Sequence, residues 1–236
     1  MSLTIKFISP FKGFIEHPKP SINHIPFEFK KLQNYWGSSD KEKTVKKCIP
    51  FLDSLTCGYI IPFPIDYQFY YDRDEQKAIF KINKNIPYEF VDDFNVAGHN
   101  EGQIPKELRH VHRTVEAIFK FKNPWVIKTP PGYSCIFTQP FNRNFPFKII
   151  DGVVDTDKYD LPINFPFYWT NKIDNPFLLK SGTPMVLVIP FKRDSWTMKI
   201  ESIERKKQYE PLPLLKYFSK IYDNYKNNSW SKKQYK

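Results

Sequence analysis

Short stretches of alternating apolar and polar residues recur through the first 200 residues of the chain. Such alternation places successive side chains on opposite faces of a β-strand, and short strands spaced by about 8–12 residues are typical of an antiparallel sandwich or jelly roll. The pattern therefore predicts a mainly β chain: an antiparallel β-sandwich or jelly-roll-like domain with a few short helices and a C-terminal helix. The clearest strands are predicted at 4–8, 59–63, 125–128, 134–138, 147–154, 161–169, 184–191 and 196–200.

Other segments carry turn or helix signals. Residues 66–71 and 77–82 predict a hairpin, and residues 92–103 read as a polar loop. Residues 49–57 predict a short helix, because Pro50 fits a first turn and Gly58 fits the position after the end. Residues 105–119 fit a helical face and a strand face equally well, so both remain open.

Prolines followed directly by phenylalanine mark the extent of the β region. Nine of the 21 prolines form such pairs, starting at residues 10, 26, 50, 62, 140, 146, 166, 176 and 190. Proline favours strand ends, edges and turns, and the neighbouring phenylalanine carries apolar surface into a core. The pairs end at Phe191, before the helical pattern that starts at Pro213. We therefore expect an aromatic-cored β domain over residues 1–200 and a helical extension with a basic tail over 201–236.

Charge and cysteine content restrict the class of protein. The net charge of +11 invites weak, nonspecific attraction to polyanions. Only six of the 36 basic residues are arginine, the residue suited to bidentate reading of phosphates and bases, so specific nucleic-acid binding is disfavoured. Three cysteines without a CxxC spacing do not form a disulfide framework and indicate buried, reduced thiols. The chain lacks a signal-peptide core and an apolar run of membrane-spanning length.

One histidine cluster has the spacing of a metal site. His110, His112 and Glu116 follow the HxHxxxE pattern and resemble the first cupin motif, which implies an Fe, Mn or Zn site in a cupin-like oxygenase or isomerase. The segment from Pro130 to Cys135 resembles the second cupin motif, with cysteine in the place of its histidine. On a strand the three side chains share a face, whereas a helix turns the two histidines apart. The alternative is a pair of exposed histidines on a polar face and no cofactor.

A second cluster of acidic residues lies near the middle of the chain. Residues 152–159, Gly-Val-Val-Asp-Thr-Asp-Lys-Tyr, resemble a segment of the dUTPase family, in which the first aspartate activates the hydrolytic water. The resemblance implies a catalytic role for Asp155, with Asp157 beside it. The Arg-Ser-Ser phosphate motif and the glycine-rich lid of that family are missing. The alternative is a β-turn whose aspartates bind loop amides.

Two further side chains are weaker candidates for chemistry. Cys135 lies in a predicted strand without a neighbouring base, as expected of an inert buried thiol. His99, in the polar loop before Glu101, is a reserve candidate for acid or base catalysis.

Four blocks of the chain are similar to an uncharacterised family in tailed phages of aquatic bacteria. They are 46–53, 58–62, 123–133 and 152–155. The resemblance implies a viral or microbial origin, in the cytoplasm of an infected host or in the virion, and it implies no catalytic residues.

These observations favour a non-catalytic β-sandwich that binds a protein or glycan partner, with a homo-oligomer also possible. The abundant tyrosine and tryptophan suit contact surfaces for either partner. The cupin-like metal enzyme is the alternative, followed by the nucleotide hydrolase.

Overall fold

The computed structural model describes residues 3–37, 42–72, 77–82, 86–99, 118–170, 176–202 and 225–236. The chain forms two compact units. The first, which we call the β unit, combines Met1–His24 with Gly58–Arg193. The second, the helical unit, combines Ile25–Cys57 with Asp194–Lys236. The boundary expected at residue 200 stays a prediction, since 203–224 lie outside the described residues.

The described residues confirm a mainly β fold built from antiparallel sheets with few short helices. The sheet orders are β1-β8, β10-β12-β7-β6, β11-β9-β14-β3-β2 and β13-β4-β5. The strands are β1 (Lys6–Ile8), β2 (Lys19–Pro20), β3 (Tyr59–Pro62), β4 (Tyr67–Asp72), β5 (Lys77–Ile82), β6 (Val96–His99), β7 (Ile118–Phe121), β8 (Val126–Lys128), β9 (Tyr133–Thr138), β10 (Phe147–Ile149), β11 (Gly152–Val154), β12 (Phe165–Trp169), β13 (Phe177–Leu179) and β14 (Pro184–Lys192).

Three sequence predictions differ from the structure. The strand predicted at 147–154 is two strands, β10 and β11, which join different sheets because the chain changes direction between Ile149 and Gly152. The polar loop predicted at 92–103 contains part of helix α3 (Val91–Phe94) and all of strand β6 in its described part. Residues 196–200 alternate like a strand but pair with no strand in the described part of the chain.

Aromatic side chains join the sheets of the β unit into one core. Phe121 of β7 and Phe167 of β12 stack with ring centroids 3.8 Å apart and planes at 4°. Phe63, just after β3, meets Phe121 edge to face at 5.0 Å, and Phe137 of β9 lies 5.7 Å from Phe165 of β12. These contacts bridge the four- and five-stranded sheets. Each buried ring contributes a large apolar area, and each edge-to-face or stacked pair adds about 0.5–1.5 kcal/mol.

Several of the Pro-Phe pairs lie at the ends of strands or inside them. Pro62 ends β3, and Pro146 and Pro176 immediately precede β10 and β13. Pro166 and Pro190 lie inside β12 and β14, at positions where the ladder of only one neighbouring strand includes them. The prediction that the phenylalanines point inward holds for Phe63, Phe147 and Phe167, which are buried, but Phe27, Phe141 and Phe177 are exposed.

The helical unit contains α1 (Phe27–Lys31), α2 (Ile49–Thr56) and a π-helical turn at Tyr225–Ser229. Helix α2 has Pro50 in its first turn, as predicted. Phe29 of α1 stacks on Phe51 of α2 at 5.7 Å. The carboxylate of Asp53 accepts hydrogen bonds from Trp230 Nε1 at 3.0 and 3.1 Å and from Lys233 at 2.6 Å, which ties the C-terminal residues to α2. The helix expected from Pro213 lies outside the described residues.

No helix in the described ranges combines the length and apolar character that crossing a membrane requires.

Gly58 gives a direct test of the sheet packing. Its φ is +69°, and a Cβ at this position would lie 2.2 Å from the backbone oxygen of Val188 in β14. Gly182 has φ +83°, but its Cβ would meet only the side chain of Glu16, at 3.8 Å. We expect Gly182→Ala to lower the free energy of unfolding by about 1–2 kcal/mol, because of its left-handed backbone alone. Gly58→Ala should lower the free energy of unfolding by more, because its added methyl group forces β3 and β14 apart. Chemical denaturation of both variants measures the change in the free energy of unfolding. Equal decreases for the two variants would contradict the close approach of Gly58 to Val188.

Candidate functional site

The acidic segment predicted as a hydrolase site forms a turn directly after β11. The backbone N–H groups of Lys158 and Tyr159 donate to the carbonyl oxygen of Asp155 at 2.9 and 3.0 Å. This turn follows the edge strand of the five-stranded sheet, beside the start of β9. The structure thus brings Asp155 and Asp157 together at one end of that sheet.

Arg193 binds both aspartates. It follows β14, and its backbone N–H donates to the carbonyl oxygen of Gly132 at 2.9 Å. Its guanidinium group forms a fork on Asp157, with distances of 2.9 Å to Oδ1 and 2.5 Å to Oδ2. The same group reaches Asp155 Oδ1 at 3.3 Å. A forked arginine–carboxylate contact fixes geometry as well as charge.

Asp157 has a further backbone partner, and Oδ1 of Asp155 has a further side-chain partner. Asp157 Oδ2 accepts a hydrogen bond from the backbone N–H of Gly132 at 2.8 Å, and the Asp157 side chain is only 6% exposed. Asp155 Oδ1 accepts from Ser134 Oγ at 2.6 Å. The Arg193 hydrogen bond, with the Gly132 amide and the Arg193 charge, holds the pKa of Asp157 well below its usual range. An aspartate held ionised and saturated with donors is a poor proton acceptor. We call Arg193, Ser134, Asp155 and Asp157 the Arg193 clamp.

A buried polar layer lies beneath the clamp. Thr156 is fully buried, and its hydroxyl lies 2.7 Å from that of Thr129 and 3.4 Å from Cys135 Sγ. Burial raises the pKa of Cys135 to about 11, with the Thr156 hydrogen bond opposing the shift. At neutral pH the thiol is therefore protonated and unsuited to nucleophilic attack. The interpretation of Cys135 as an inert core residue agrees with this geometry.

The metal and acid-base candidates fall mainly outside the described residues. His110, His112 and Glu116 lie in 101–117, so the cupin-like metal site stays a prediction. The backbone of His99 ends β6 rather than lying in a loop, and Glu101 lies beyond the described residues. Among the residues that the structure does describe, no three histidine, cysteine or acidic side chains form a group able to hold a metal ion.

An open depression adjoins the clamp on the outer side of β11. Its volume is about 420 Å³, and its lining consists of Val153, Val154, Asp155, Lys158 and Tyr159. Neighbouring residues of a strand point to opposite faces, so a depression lined by both Val153 and Val154 lies along the strand edge. Val153 is 63% exposed, which is unusual for a valine of a sheet. The depression therefore presents an apolar strand edge to solvent.

A second apolar surface follows Arg193 in the sequence. Within residues 194–202 the chain has no regular secondary structure, and Trp196, Met198 and Ile200 are 91%, 84% and 85% exposed. These three alternate with Ser195, Thr197, Lys199 and Glu201. An extended chain places such alternate residues on one side. We call residues 195–201 the exposed segment. Its alternation predicts a paired strand, but the segment pairs with no strand in the described part of the chain.

No sequence signal predicts a third group, which consists of His24 and Arg143. His24 Nε2 and Arg143 Nε are buried and make no hydrogen bond with the residues that the structure describes. Burial, then the charges of Arg143 and Lys19, lower the pKa of His24, and burial lowers that of Arg143. No motif in the sequence links these residues, since His24 and Arg143 are far apart along the chain.

The comparisons with known proteins found no match. No family model, no curated protein and no solved structure matches this chain. Its function is therefore inferred from the contacts, exposure and charges of its own residues.

The Arg193 clamp predicts a specific dependence of stability on pH. We expect Arg193→Gln to lower the melting temperature by a few degrees at pH 7. The folded-state pKa of Asp157 lies below its unfolded value of about 4, so the clamp stabilises the protein above that pH and loses its effect as the pH falls further. The difference between wild type and variant should therefore be constant above about pH 5 and shrink below about pH 4.

Lys148→Gln is the matched control, because it removes an exposed ion pair with Asp151 at 3.5 Å, and such pairs contribute little. Calorimetric melting curves from pH 3 to pH 7 measure both variants. A gap between wild type and Arg193→Gln that stays constant down to pH 3, or a loss no larger than that of Lys148→Gln, would contradict the clamp.

Proposed function

We propose that the chain is a non-catalytic binding or assembly protein that recognises a protein partner through the exposed segment. The observation that carries the proposal is the exposure of Trp196, Met198 and Ile200 on alternate residues of a segment without regular secondary structure. Exposed apolar residues that occur singly need no explanation, whereas a contiguous apolar surface usually marks an interaction site.

The form of the exposed segment favours recognition by strand addition. An extended peptide can add to a free sheet edge, where backbone hydrogen bonds supply affinity and alternate side chains supply specificity. Tryptophan and methionine are enriched at protein interfaces. The one ion pair within the segment joins Lys199 and Glu201, two residues apart on the polar side. The segment therefore carries no net charge that would oppose docking.

The clamp supports a non-catalytic function. A dUTPase-like mechanism needs an aspartate free to activate water, whereas Oδ1 of Asp155 already accepts hydrogen bonds from Ser134 and Arg193. This geometry favours the turn interpretation of Asp155 and Asp157. The phage setting, in the cytoplasm of an infected host or in the virion, remains part of the proposal, as does the weak attraction of a +11 chain to polyanions.

Site-specific photo-crosslinking tests the proposed function. A photoreactive p-benzoylphenylalanine in place of Met198 should yield covalent adducts of discrete mass with protein in the cells that normally make the chain. The same residue in place of Phe14, which is also highly exposed, is the matched control. Both positions are exposed, so neither replacement disturbs the core.

Peptides of a protein joined to position 198, in clear excess over position 14, would support the proposal. Equal crosslinking at both positions would contradict it. So would purified protein that binds an array of glycans with an affinity unchanged by Trp196→Ser.

A further inference from the structure

The chain carries both halves of a strand-addition contact. Within the described residues the exposed segment pairs with no strand, and its exposed apolar side chains lie on alternate residues. Strand β11 is an edge strand with an exposed valine and a depression along its edge. We propose that the exposed segment of one copy adds to the edge of β11 in a second copy. The inference rests on the proposed function, because it names the partner of the exposed segment.

The edge of β11 is available for pairing. In the described residues β11 pairs with β9 only, through Gly152↔Phe137, Val153↔Ile136 and Val154↔Cys135. In an antiparallel edge strand every second residue directs its N–H and C=O groups away from the sheet. Native sheets usually cover or charge such edges, yet the outward side chain here is Val153, at 63% exposure. An added strand would satisfy these groups and bury the valine.

The side-chain patterns of the two elements match. Residues that face each other across a ladder place their side chains on the same face of the sheet. A strand that sets one of Trp196, Met198 or Ile200 opposite Val153 therefore sets all three on the face of Val153. The depression of about 420 Å³ beside Val153 and Tyr159 has room for the indole ring of Trp196. The polar side of the segment would then lie on the opposite face.

Chain connectivity favours a reciprocal exchange between two copies. Arg193 bonds to Gly132, before β9, and to Asp155, directly after β11. Residue 194 therefore leaves the β unit at the end of the sheet where β11 ends. The seven residues of the exposed segment span roughly 23 Å when extended, more than the roughly 10 Å of a three-residue strand. Two copies that meet at this end can each supply a segment to the other, which closes the assembly as a two-fold dimer.

The size and charge of the contact set its strength. A tryptophan side chain buries about 150–250 Å², and two reciprocal contacts bury on the order of 1,000 Å² in total, near the lower limit of specific interfaces. Arg193 pairs with Asp155 and Asp157 and Lys199 pairs with Glu201, while Lys158 adds a positive charge at the depression. The net charge of +11 on each copy opposes association over longer distances, and salt screens that repulsion. We therefore expect a dimer that forms at micromolar concentration and near-physiological salt.

Analytical ultracentrifugation of the full chain tests the inference. The wild type should shift from monomer to dimer as its concentration rises through the micromolar range. Met198→Glu puts a charge on the apolar side of the exposed segment, and Val153→Glu puts a charge at the edge of β11. Each variant alone should stay monomeric. Leu178→Glu is the matched control, because Leu178 is an exposed apolar residue of another edge strand, β13, and this variant should dimerise like the wild type.

A mixture of the two monomeric variants distinguishes strand exchange from other modes of dimerisation. Met198→Glu chains keep an intact β11, and Val153→Glu chains keep an intact segment, so the mixture retains one of the two contacts. It should form a heterodimer that is weaker than the wild-type dimer but detectable where each variant alone is monomeric. A self-complementary contact of segment with segment would give no such rescue.

Three results would overturn the inference. They are a wild type that stays monomeric at all concentrations, a dimer that Val153→Glu leaves intact, and a dimer that Leu178→Glu abolishes. If the wild type is monomeric but position 198 still crosslinks to a different protein, the proposed function stands and only the identity of the partner is wrong.

Discussion

The stacking of Phe121 on Phe167 is the contact on which the arrangement of the β unit depends. It joins β7 to β12, and Phe63 packs against its edge from the end of β3. Through Phe63 and the Phe137–Phe165 pair, the four-stranded sheet is fixed against the five-stranded sheet. Aromatic rings suit this task because each buries a large area in a few defined geometries. The end of the five-stranded sheet, where β9, β11 and β14 meet Arg193, is positioned by this packing.

The Arg193 clamp binds the two aspartates of a turn whose sequence resembles a catalytic loop. Two neighbouring aspartates after a Gly-Val-Val strand suggest water activation only while their oxygens are free. Here Arg193 and the Gly132 amide bind both oxygens of Asp157, and Ser134 and Arg193 bind Oδ1 of Asp155. The clamp thereby ties the turn after β11 to the ends of β9 and β14.

The sequence was sufficient to predict the class of fold but not the pairing of its strands. Alternation and Pro-Phe spacing predicted antiparallel strands, the α2 helix and the β4–β5 hairpin, because these depend on local periodicity and turn residues. Alternation could not show that 147–154 divides between two sheets, since both halves keep the same apolar pattern. Nor could it show that Trp196, Met198 and Ile200 lack a core to face. Whether an apolar side chain is buried depends on which strands lie beside it.

The candidate site was only partly predictable for a similar reason. Asp155 and Asp157 were identified from their spacing, but their partner Arg193 follows them by more than 35 residues and comes close only through the pairing of β14 with β9. The interpretation of Cys135 needed only its strand context and agrees with its burial. The metal interpretation of His110, His112 and Glu116 depends on the backbone of a segment that lies outside the described residues, so it stays a prediction.

Hydrogen–deuterium exchange measured at two protein concentrations tests the central claim, that the exposed segment and the edge of β11 complete one another. At low micromolar concentration the amides of residues 195–201 should exchange rapidly. At high micromolar concentration the amides of residues 152–154 and of 195–201 should become protected together, while those at the β13 edge stay unchanged. Exchange that does not depend on concentration in either segment, or protection of the exposed segment without β11, would contradict the account.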